Sequence, residues 1–208
     1  MSHYGNEDDL SMKYPTLEKL VTKLDFSYYL DLYAGQGLSK GYEGTPLRVM
    51  KIAKGRGISL NVFLYEKNNE NRIYLKKNIE KFRYDKFHKI KKYGERWQDN
   101  IKKHLKNIDK NWFVFIDPFR AGNYYNGSIN INKFLPQILF GGAKVILYYP
   151  EYPLIGEKIN GEIKNTNILE TRDIIIRSKR NYLEKSLRIN VGKGYLKERN
   201  AHLFVILK

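Results

Sequence analysis

The sequence contains no cysteine among its 208 residues. This absence excludes disulfides, thiolate metal sites and a cysteine nucleophile, and it fits a reducing compartment. The four histidines, His3, His88, His104 and His202, show no spacing typical of metal ligands, so we expect no metal site. No Ser-His-Asp or Cys-His arrangement is readable, which disfavours the enzyme classes that depend on one.

Long apolar runs are also missing. No run approaches the roughly 20 residues needed to span a bilayer, and the acidic start, Glu7 to Asp9, lacks the apolar core of a signal peptide. We therefore expect a cytoplasmic protein without a membrane partner. Since no internal repeat or low-complexity linker is present, we expect one domain over residues 1–208, with residues 1–25 as an N-terminal helical extension.

The balance of charge is strongly basic. Lys and Arg number 38 against 22 Asp and Glu, which gives a formal net charge of +16. Such a charge works against a compact state through self-repulsion, so a polyanionic partner is a natural explanation, with nucleic acid as the candidate. A lysine-rich proteome or a thermophilic source with many surface lysines would explain the same charge.

Strand-like and helix-like segments alternate along the chain. Apolar runs that end in turn residues predict strands at 26–32, 60–65, 87–92, 112–116, 143–149, 187–191 and 203–207. Apolar residues at helical spacing predict helices at 14–24, 45–55, 69–82, 99–108 and 131–140. The alternation predicts an α/β sheet with helices on both faces, and the last two strands predict an antiparallel hairpin at its edge.

Two of the predicted helices carry signals at their ends. Pro15 and Thr16 stand where the first helix is expected to start. In the second helix Thr45 suits the N-cap, Pro46 suits the first helical position and Gly55 suits the stop.

A glycine loop follows the first predicted strand. Residues 29–37 read Tyr-Leu-Asp-Leu-Tyr-Ala-Gly-Gln-Gly, and Glu66 ends the second strand. Glycines let a ligand approach the backbone, and an acidic residue at a strand end can accept hydrogen bonds from ribose hydroxyls. Lys40 stands where a dinucleotide fingerprint needs its third glycine, and Glu66 lies beyond the ~20 residues expected there. A ligand without phosphates fits better, and S-adenosylmethionine is such a ligand.

These residues resemble class I S-adenosylmethionine-dependent methyltransferases, and most closely the three-Cys-motif partner family. That family carries a similar Asp-Leu-Phe-Ala-Gly-x-Gly strand end, a Gly-Ser-Pro that opens the next helix and an Asp-Pro-Phe-Gly. The corresponding segments here are 31–37, 44–46 and 117–119, and the resemblance spans residues 26–150. It implies S-adenosylmethionine as cofactor and a Rossmann-like fold, with a mostly parallel seven-stranded sheet, helices on both faces and a C-terminal antiparallel hairpin.

The resemblance also implies which residues surround the cofactor. Asp31 and the glycine loop would lie around its methionine part, and Glu66 would hold the ribose. For the adenine side we choose Asp99, with Glu95 and Gln98 as alternatives, and Asp99 is equally well explained as the cap of its helix. The full set of predicted cofactor-binding residues is Asp31, Tyr33, Ala34, Gly35, Gly37, Glu66, Asp99 and Asp117.

The catalytic segment is predicted at Asp117-Pro118-Phe119. Methyltransferases of adenine or cytosine amino groups carry Asp/Asn/Ser-Pro-Pro-aromatic there, where the oxygen orients the amine and the ring stacks on an extruded base. Here the second proline is missing and the aromatic residue comes one position early, and Phe119 is equally well explained by core packing. The loop that follows either contacts substrate or simply connects two elements. Its candidate substrate contacts are Arg120, Tyr124 and Tyr125.

A basic surface is predicted between Arg72 and Lys106. Thirteen Lys and Arg residues stand there against four acidic residues. Cations that neutralise phosphates and rings that stack on bases are typical of a nucleic-acid face, whereas solvated helix faces with apolar residues turned inward are the alternative. The interleaved aromatic residues are Tyr74, Phe82, Tyr84, Phe87, Tyr93 and Trp97.

The functional prediction combines the loop, the catalytic segment and the charge. We predict an S-adenosylmethionine-dependent methyltransferase that acts on an RNA or DNA base, with an exocyclic amine as one candidate acceptor. The first alternative is a methyltransferase-like module without activity that binds nucleic acid or a protein partner. The second alternative is a methyltransferase of small molecules.

Overall fold

The structure is a computed structural model that describes residues 7–39, 41–117, 137–150 and 201–206. Its strands are β1 (Tyr28–Asp31), β2 (Leu38–Ser39), β3 (Tyr42–Glu43), β4 (Asn61–Tyr65), β5 (Lys89–Gly94), β6 (Trp112–Ile116), β7 (Lys144–Pro150) and β8 (Ala201–Ile206). Its helices are α1 (Glu7–Thr22), α2 (Thr45–Gly55), α3 (Asn69–Lys81), α4 (Tyr84–Phe87) and α5 (Ile101–Leu105), with a 3₁₀ turn at Trp97–Asp99.

Six strands form one sheet in the order β5-β4-β1-β6-β7-β8, and β2 pairs with β3 in a separate small hairpin. The first five strands in this order are parallel, whereas β8 runs antiparallel to β7. From β1 the chain builds one side of the sheet through β4 and β5, and it then returns to build the other side from β6. The order therefore reverses between β1 and β6, and ligands of open α/β sheets bind beyond the carboxyl ends of the strands at such a point.

The centre of the sheet is buried on both faces. All five residues of β6 are buried, and successive side chains point to opposite faces. Val114 joins an apolar layer with Trp97 and Ile101, while Phe113 joins another layer with Leu47. Helices α1, α2 and α3 supply the second layer, and the 3₁₀ turn and α5 contribute to the first. This arrangement agrees with the prediction of helices on both faces of a mostly parallel sheet.

Helix α1 begins at Glu7, earlier than the predicted start near Pro15, and ends at Thr22. Pro15 therefore lies inside the helix, where it lacks the amide donor and crowds the carbonyl four residues earlier, at a cost of about 3 kcal/mol. Leu17 and Val21 are buried in the apolar layer beneath α1, and each such burial stabilises by about 1.5–3 kcal/mol. Burial of these two side chains offsets the cost of Pro15 inside the helix. Helix-end signals in the sequence do not reveal this burial.

Helix α2 begins at Thr45 with Pro46 in its first turn, but Gly44 is its cap and no side chain caps it. The helix runs through Gly55 and is followed by Gly57, whose φ is +72°. The predicted cap at Thr45 is therefore wrong by one position, whereas the helix ends at Gly55 as predicted. A residue in the left-handed conformation commonly follows the end of a helix, and here that residue is Gly57, two positions after the last helical residue.

The segment around β5 departs further from its predicted structure. The predicted strand 87–92 lies two residues later, as β5, because α4 precedes it. The predicted helix 99–108 is broken into the 3₁₀ turn and the five-residue α5, which are separated at Asn100. The first apolar layer is therefore covered by a short helix over this part of the sheet.

The main sheet has six strands in the part of the chain that the structure describes, whereas seven were predicted. The predicted terminal hairpin would pair residues 187–191 with 203–207, and the first of these segments lies outside the described residues. Of the predicted helix 131–140 only residues 137–140 are described, and they are helical. None of the described helices is both long enough and apolar enough to cross a membrane. The single domain over 1–208 stays a prediction.

His88 is a buried junction between α2, β4 and the start of β5. Its side chain is 2% exposed, and its Nδ1 accepts a hydrogen bond from the Leu60 amide at 3.2 Å. The proton therefore sits on Nε2, which donates to the Met50 carbonyl at 2.8 Å, so the geometry requires a neutral ring. Burial lowers the pKa of His88, the Met50 hydrogen bond opposes that shift, and the charge of Lys54 adds to it.

We predict that the free energy of unfolding falls as the pH drops below 6.5, the ordinary histidine pKa. The folded-state pKa of His88 lies below the unfolded value, so the unfolded chain binds the proton first and acid favours unfolding. One such proton contributes at most about 1.4 kcal/mol per pH unit. Urea unfolding across the range from neutral pH to about pH 5 measures this slope.

The matched variant is His88→Gln, whose amide can still donate to the Met50 carbonyl but does not titrate. Its slope should be shallower than that of the wild type, although part of the slope remains because burial also lowers the pKa of His104. An identical slope in both proteins would contradict the role of His88.

Candidate functional site

Three acidic residues mark the carboxyl ends of three neighbouring strands. Asp31 ends β1, Glu66 follows β4 and Asp117 follows β6. Asp31 pairs with Leu64 on one side and with Phe115 on the other, so the three strands end at the same edge. The three strands that carry these residues thus end at the edge where the strand order reverses. Among the described residues no three His, Asp or Glu side chains are grouped to hold a metal ion.

Asp31 is fully buried, and two donors hold its carboxylate. The Tyr29 hydroxyl donates to Oδ2 at 2.7 Å and the Tyr33 amide donates to Oδ1 at 3.0 Å. Tyr29 is also fully buried and stacks on Phe113, with ring centroids 5.5 Å apart. Burial and then the charge of Asp31 raise the pKa of Tyr29 well above its ordinary value. The phenol therefore stays protonated and fixes the carboxylate at the end of β1.

The Glu66 carboxylate joins the glycine loop to the end of β4. Its Oε2 accepts from the Gly35 amide at 3.0 Å and its Oε1 accepts from the Asn68 amide at 2.8 Å. The backbone of Glu66 is also held, because its amide donates to the Gly94 carbonyl at 3.0 Å and its carbonyl accepts from Arg72 at 2.8 Å. Each carboxylate oxygen has two lone pairs, so each one can accept from a further donor such as a hydroxyl group.

The glycine loop is supported from one side and open on the other. Gly35 and Gly37 have φ angles of +62° and +78°, which favour glycine over other residues. A Cβ on Gly37 would lie 2.8 Å from Cδ1 of Leu75, so α3 packs closely against this position. Asn78 of the same helix donates to the Gln36 carbonyl at 2.9 Å. Among the described residues a Cβ on Gly35, in contrast, would meet nothing within 4 Å, and this is space where a ligand can approach the backbone.

A small hairpin, β2 and β3, is inserted between the glycine loop and α2. The Gly44 amide donates to the Gly37 carbonyl at 2.6 Å and closes the base of this insertion. A Cβ on Gly44 would lie 3.1 Å from the same carbonyl oxygen, so a side chain there would crowd the closure. The sequence pattern did not predict the hairpin, because strands of two residues have no readable period. The insertion explains why the glycine spacing departs from a dinucleotide fingerprint.

Asp117 is half-buried and lies close enough to two tyrosines to change their pKa values. After burial and Asp31, its charge contributes to the raised pKa of Tyr29. Burial raises the pKa of Tyr33 to about 12, and the charge of Asp117 contributes to the same shift. The Tyr33 and Trp97 rings meet edge to face, with centroids 6.4 Å apart. Tyr33 therefore connects the ends of β1 and β6 with the 3₁₀ turn after β5.

The adenine-side residue stays a prediction. The Asp99 side chain is 65% exposed and pairs with Arg96 at 4.0 Å, which fits a surface position in the 3₁₀ turn as well as a ligand contact. Glu95 is exposed and Gln98 is half-buried. Glu95 follows Gly94 directly, and the Gly94 carbonyl accepts from the Glu66 amide, so the chain enters this segment beside the site.

Ala34 contributes through its backbone, and its side chain is buried in the core. Its amide donates to the Tyr65 carbonyl at 2.8 Å, while the Leu32 amide donates to the Phe115 carbonyl at 3.2 Å. The loop is thus anchored to both strands that flank β1. Five further predicted site residues fall outside the described residues, and their roles stay predictions; they are Pro118, Phe119, Arg120, Tyr124 and Tyr125.

Three residues that shape the site were not among the predicted site residues. Tyr29 precedes Asp31 by two positions, and this spacing places both on one face of a strand, so the pattern alone could have paired them. Asn78 and Trp97 reach the loop from α3 and from the 3₁₀ turn. No local signal marks these two, because their contacts depend on how the elements pack.

Comparison with known proteins gives similarity at the level of structure. No family model matches the chain, and no curated protein matches its sequence. An O-methyltransferase from Bacillus cereus, solved in complex with S-adenosylhomocysteine, has 18% identity and a TM-score of 0.57, covering 100% of this chain and 84% of that one. A protein provisionally named caffeoyl-CoA O-methyltransferase from Staphylococcus aureus has 13% identity and a TM-score of 0.56, covering 98% and 94%. A methyltransferase from Geobacter sulfurreducens has 9% identity and a TM-score of 0.53, covering 100% and 92%.

The chain has the class I methyltransferase fold. The similarity comes from five parallel strands whose order reverses after β1. Because the sequence identities are low, it is a similarity of fold alone. The predicted fold class is therefore confirmed in its broad form. The narrower resemblance to the three-Cys-motif partner family finds no support in these comparisons.

We predict that Tyr29→Phe lowers the free energy of unfolding by about 1.5–3 kcal/mol, the usual range for a hydrogen bond to a charged group. The variant keeps the ring that stacks on Phe113 and removes the donor to Asp31. Tyr74→Phe is the control, because Tyr74 is 46% exposed and should change stability by less than about 0.5 kcal/mol. Urea unfolding of both variants measures the difference, and equal midpoints would contradict the role assigned to the Tyr29 hydroxyl.

Proposed function

We propose that the protein is an S-adenosylmethionine-dependent methyltransferase that binds its cofactor at the carboxyl ends of β4 and β1. The observation that carries the proposal is the hydrogen bond between the Gly35 amide and Glu66, beside open space over Gly35. Glu66 thus lies directly after β4, next to a loop whose backbone a ligand can reach. The O-methyltransferase of Bacillus cereus that was solved with S-adenosylhomocysteine supports the same cofactor.

The residues of the site suit a cofactor that has hydroxyl and ammonium groups and no phosphates. Glu66 has a free lone pair on each oxygen for the two ribose hydroxyls. The buried Asp31 places negative charge beside the glycine loop, where a cationic amino group is favoured and a phosphate is not. The bound cofactor supplies an electrophilic methyl group on sulfonium sulfur. Asp99, with Glu95 and Gln98 as alternatives, remains our candidate for the adenine side.

Asp117 is the proposed residue for orienting the methyl acceptor. It follows β6 directly, at the same edge as Asp31, and its charge acts on Tyr29 and Tyr33. A carboxylate oxygen there can accept a hydrogen bond from an amine or hydroxyl and turn its lone pair toward the methyl group. We propose Pro118 and Phe119 as the rest of this segment, with Arg120, Tyr124 and Tyr125 as substrate contacts.

Nucleic acid is our proposed substrate class. The net charge of +16 and the thirteen basic residues between Arg72 and Lys106 support a polyanionic partner. A small molecule is the second candidate, because two of the similar structures carry the name O-methyltransferase and one of those is named for a coenzyme A thioester. A methyltransferase-like module without activity is the remaining alternative.

We predict that Gly35→Ala weakens the binding of S-adenosylhomocysteine at least tenfold, because its Cβ would occupy the space over the loop. Gly57→Ala is the matched control, since Gly57 also has a positive φ (+72°), also has open space around it, and lies outside the site. Both variants should lose about 1 kcal/mol or more of stability from backbone strain. Isothermal titration calorimetry measures the affinities, and equal effects of the two substitutions would refute the proposed cofactor site.

We predict that the protein transfers tritium-labelled methyl groups from S-adenosylmethionine to RNA or DNA, and that Asp117→Ala reduces the rate about 100-fold through misorientation of the acceptor. Asp117→Asn should keep much of the rate, because an amide oxygen can accept the same hydrogen bond. Label found in small phenols or thioesters and never in nucleic acid would favour the second candidate. Cofactor binding without transfer to any acceptor would favour the inactive module.

A further inference from the structure

A groove of about 470 Å³ opens on the face of the sheet that carries α5. It lies at the other end of β1 from the candidate cofactor site. Tyr28 begins β1 and Asp31 ends it, so the two places are separated by about 10 Å along the strand, at roughly 3.3 Å per residue. The residues that line the groove are Tyr28, Phe63, Lys103, His104, Asn107, Asp109 and Trp112.

Three aromatic rings from three adjacent strands form the floor of this groove. The Tyr28 and Trp112 rings are nearly parallel, at 12°, with centroids 4.9 Å apart. Phe63 and Trp112 lie at 20° with centroids 5.4 Å apart. His104 meets Phe63 edge to face at 4.8 Å. Trp112 is nearly covered, whereas Tyr28 and Phe63 are half-buried, so two ring surfaces remain accessible beside the stack.

Positive charge surrounds these rings. Lys103 lines the groove, and Lys92 stands opposite Phe63 in the β4–β5 pairing. Lys92 is also close to His104, whose pKa is lowered by burial and then by the charge of this lysine. Within the described parts of the chain neither lysine has an ion-pair partner. Over residues 86–106 eight basic residues stand against two acidic ones.

Among the described residues that line the groove, Asp109 is the acidic one, and its carboxylate accepts two hydrogen bonds. Asp109 accepts at Oδ1 from the Asn111 amide at 2.8 Å and at Oδ2 from the Asn111 side chain at 3.4 Å. Its carboxylate therefore caps the turn before β6, while Lys92 and Lys103 place two positive charges beside the rings. Stacked rings with unpaired cations beside them match a flat base with its phosphate.

We propose that this groove binds a segment of single-stranded nucleic acid, with a base stacked on Tyr28 or Phe63 and phosphates on Lys92 and Lys103. The inference deepens the nucleic-acid part of the proposed function and rests on it for the substrate class. A duplex keeps its bases stacked on one another, so only an unpaired strand can offer a base to these rings. The groove would hold the strand away from the cofactor edge, so cofactor binding and strand binding should be separable by mutation.

The test measures two affinities for every variant. Fluorescence anisotropy gives the affinity for labelled single-stranded RNA and DNA of about 12 nucleotides, a typical length for such grooves, and calorimetry gives the affinity for S-adenosylhomocysteine. Lys92→Glu with Lys103→Glu should weaken strand binding more than tenfold. The log–log salt slope should also become shallower by about 1.4, since each phosphate contact of a single strand accounts for about 0.7. Affinity for S-adenosylhomocysteine should stay unchanged, which also shows that the variant is folded.

Two matched controls separate the groove from bulk charge and from folding. Lys19→Glu with Lys23→Glu changes the net charge equally, at exposed positions in and just after α1, and should leave strand affinity within about twofold. Tyr28→Leu removes the stacking ring but keeps apolar volume, and it should weaken binding about fivefold or more, whereas Tyr28→Phe keeps the ring and the affinity.

Several results would overturn the proposal. One is that the wild type binds no strand at low salt, and another is that the two double lysine variants lose equal strand affinity. Wild-type affinity in Tyr28→Leu would also contradict the proposal, as would tighter binding of a duplex or of adenosine monophosphate than of the strand. Gly35→Ala distinguishes the two proposals, because it should lose S-adenosylhomocysteine and keep the strand. Failure of the wild type to bind S-adenosylhomocysteine would count against the proposed methyltransferase function. The anisotropy measurements of strand binding would still test the proposed role of the groove.

Discussion

The hydrogen bond from the Gly35 amide to the Glu66 carboxylate connects two strand ends that are 31 residues apart in sequence. It can form because β1 and β4 are adjacent and parallel, with Asp31 opposite Leu64. The loop also needs the left-handed conformation of Gly35, at φ +62°, and the support of Asn78 from α3. A register shift by one residue would turn the Asp31 side chain to the opposite face of the sheet. The shape of the candidate site therefore depends on this pairing of two strands.

Charge is distributed differently at the two ends of the central strands. The carboxyl edge gathers Asp31, Glu66 and Asp117, which favour cations and hydroxyl donors and repel phosphates. The groove near the amino ends carries stacked rings with Lys92 and Lys103 beside them. A strongly basic protein thus gathers three carboxylates at the edge where we propose that a cofactor without phosphates binds. The basic, aromatic groove that we propose for a polyanion uses other side chains, so the two proposed functions do not compete for the same residues.

The parts of the fold that were predictable from the sequence are those with a strong local pattern. The run 112–116 is β6 as predicted, and the loop 31–37 with Glu66 lies at the expected strand ends. Two features were not predictable from local patterns. Helix α1 continues through Pro15 because one of its faces is buried, and the strands of the hairpin before α2 are too short to show a period. The substrate is not predictable from the sequence in the same way, because basic surfaces and altered catalytic motifs do not specify an acceptor atom.

A structure of the protein in complex with S-adenosylhomocysteine tests the central claim most directly. We expect both ribose hydroxyl oxygens within about 2.6–3.2 Å of the Glu66 carboxylate oxygens, with the backbone at Gly35 in contact with the ligand. The hydrogen bond between Gly35 and Glu66 should persist, since each carboxylate oxygen can accept twice. A ligand bound elsewhere on the chain, or no bound ligand at saturating concentration, would contradict the proposed cofactor site.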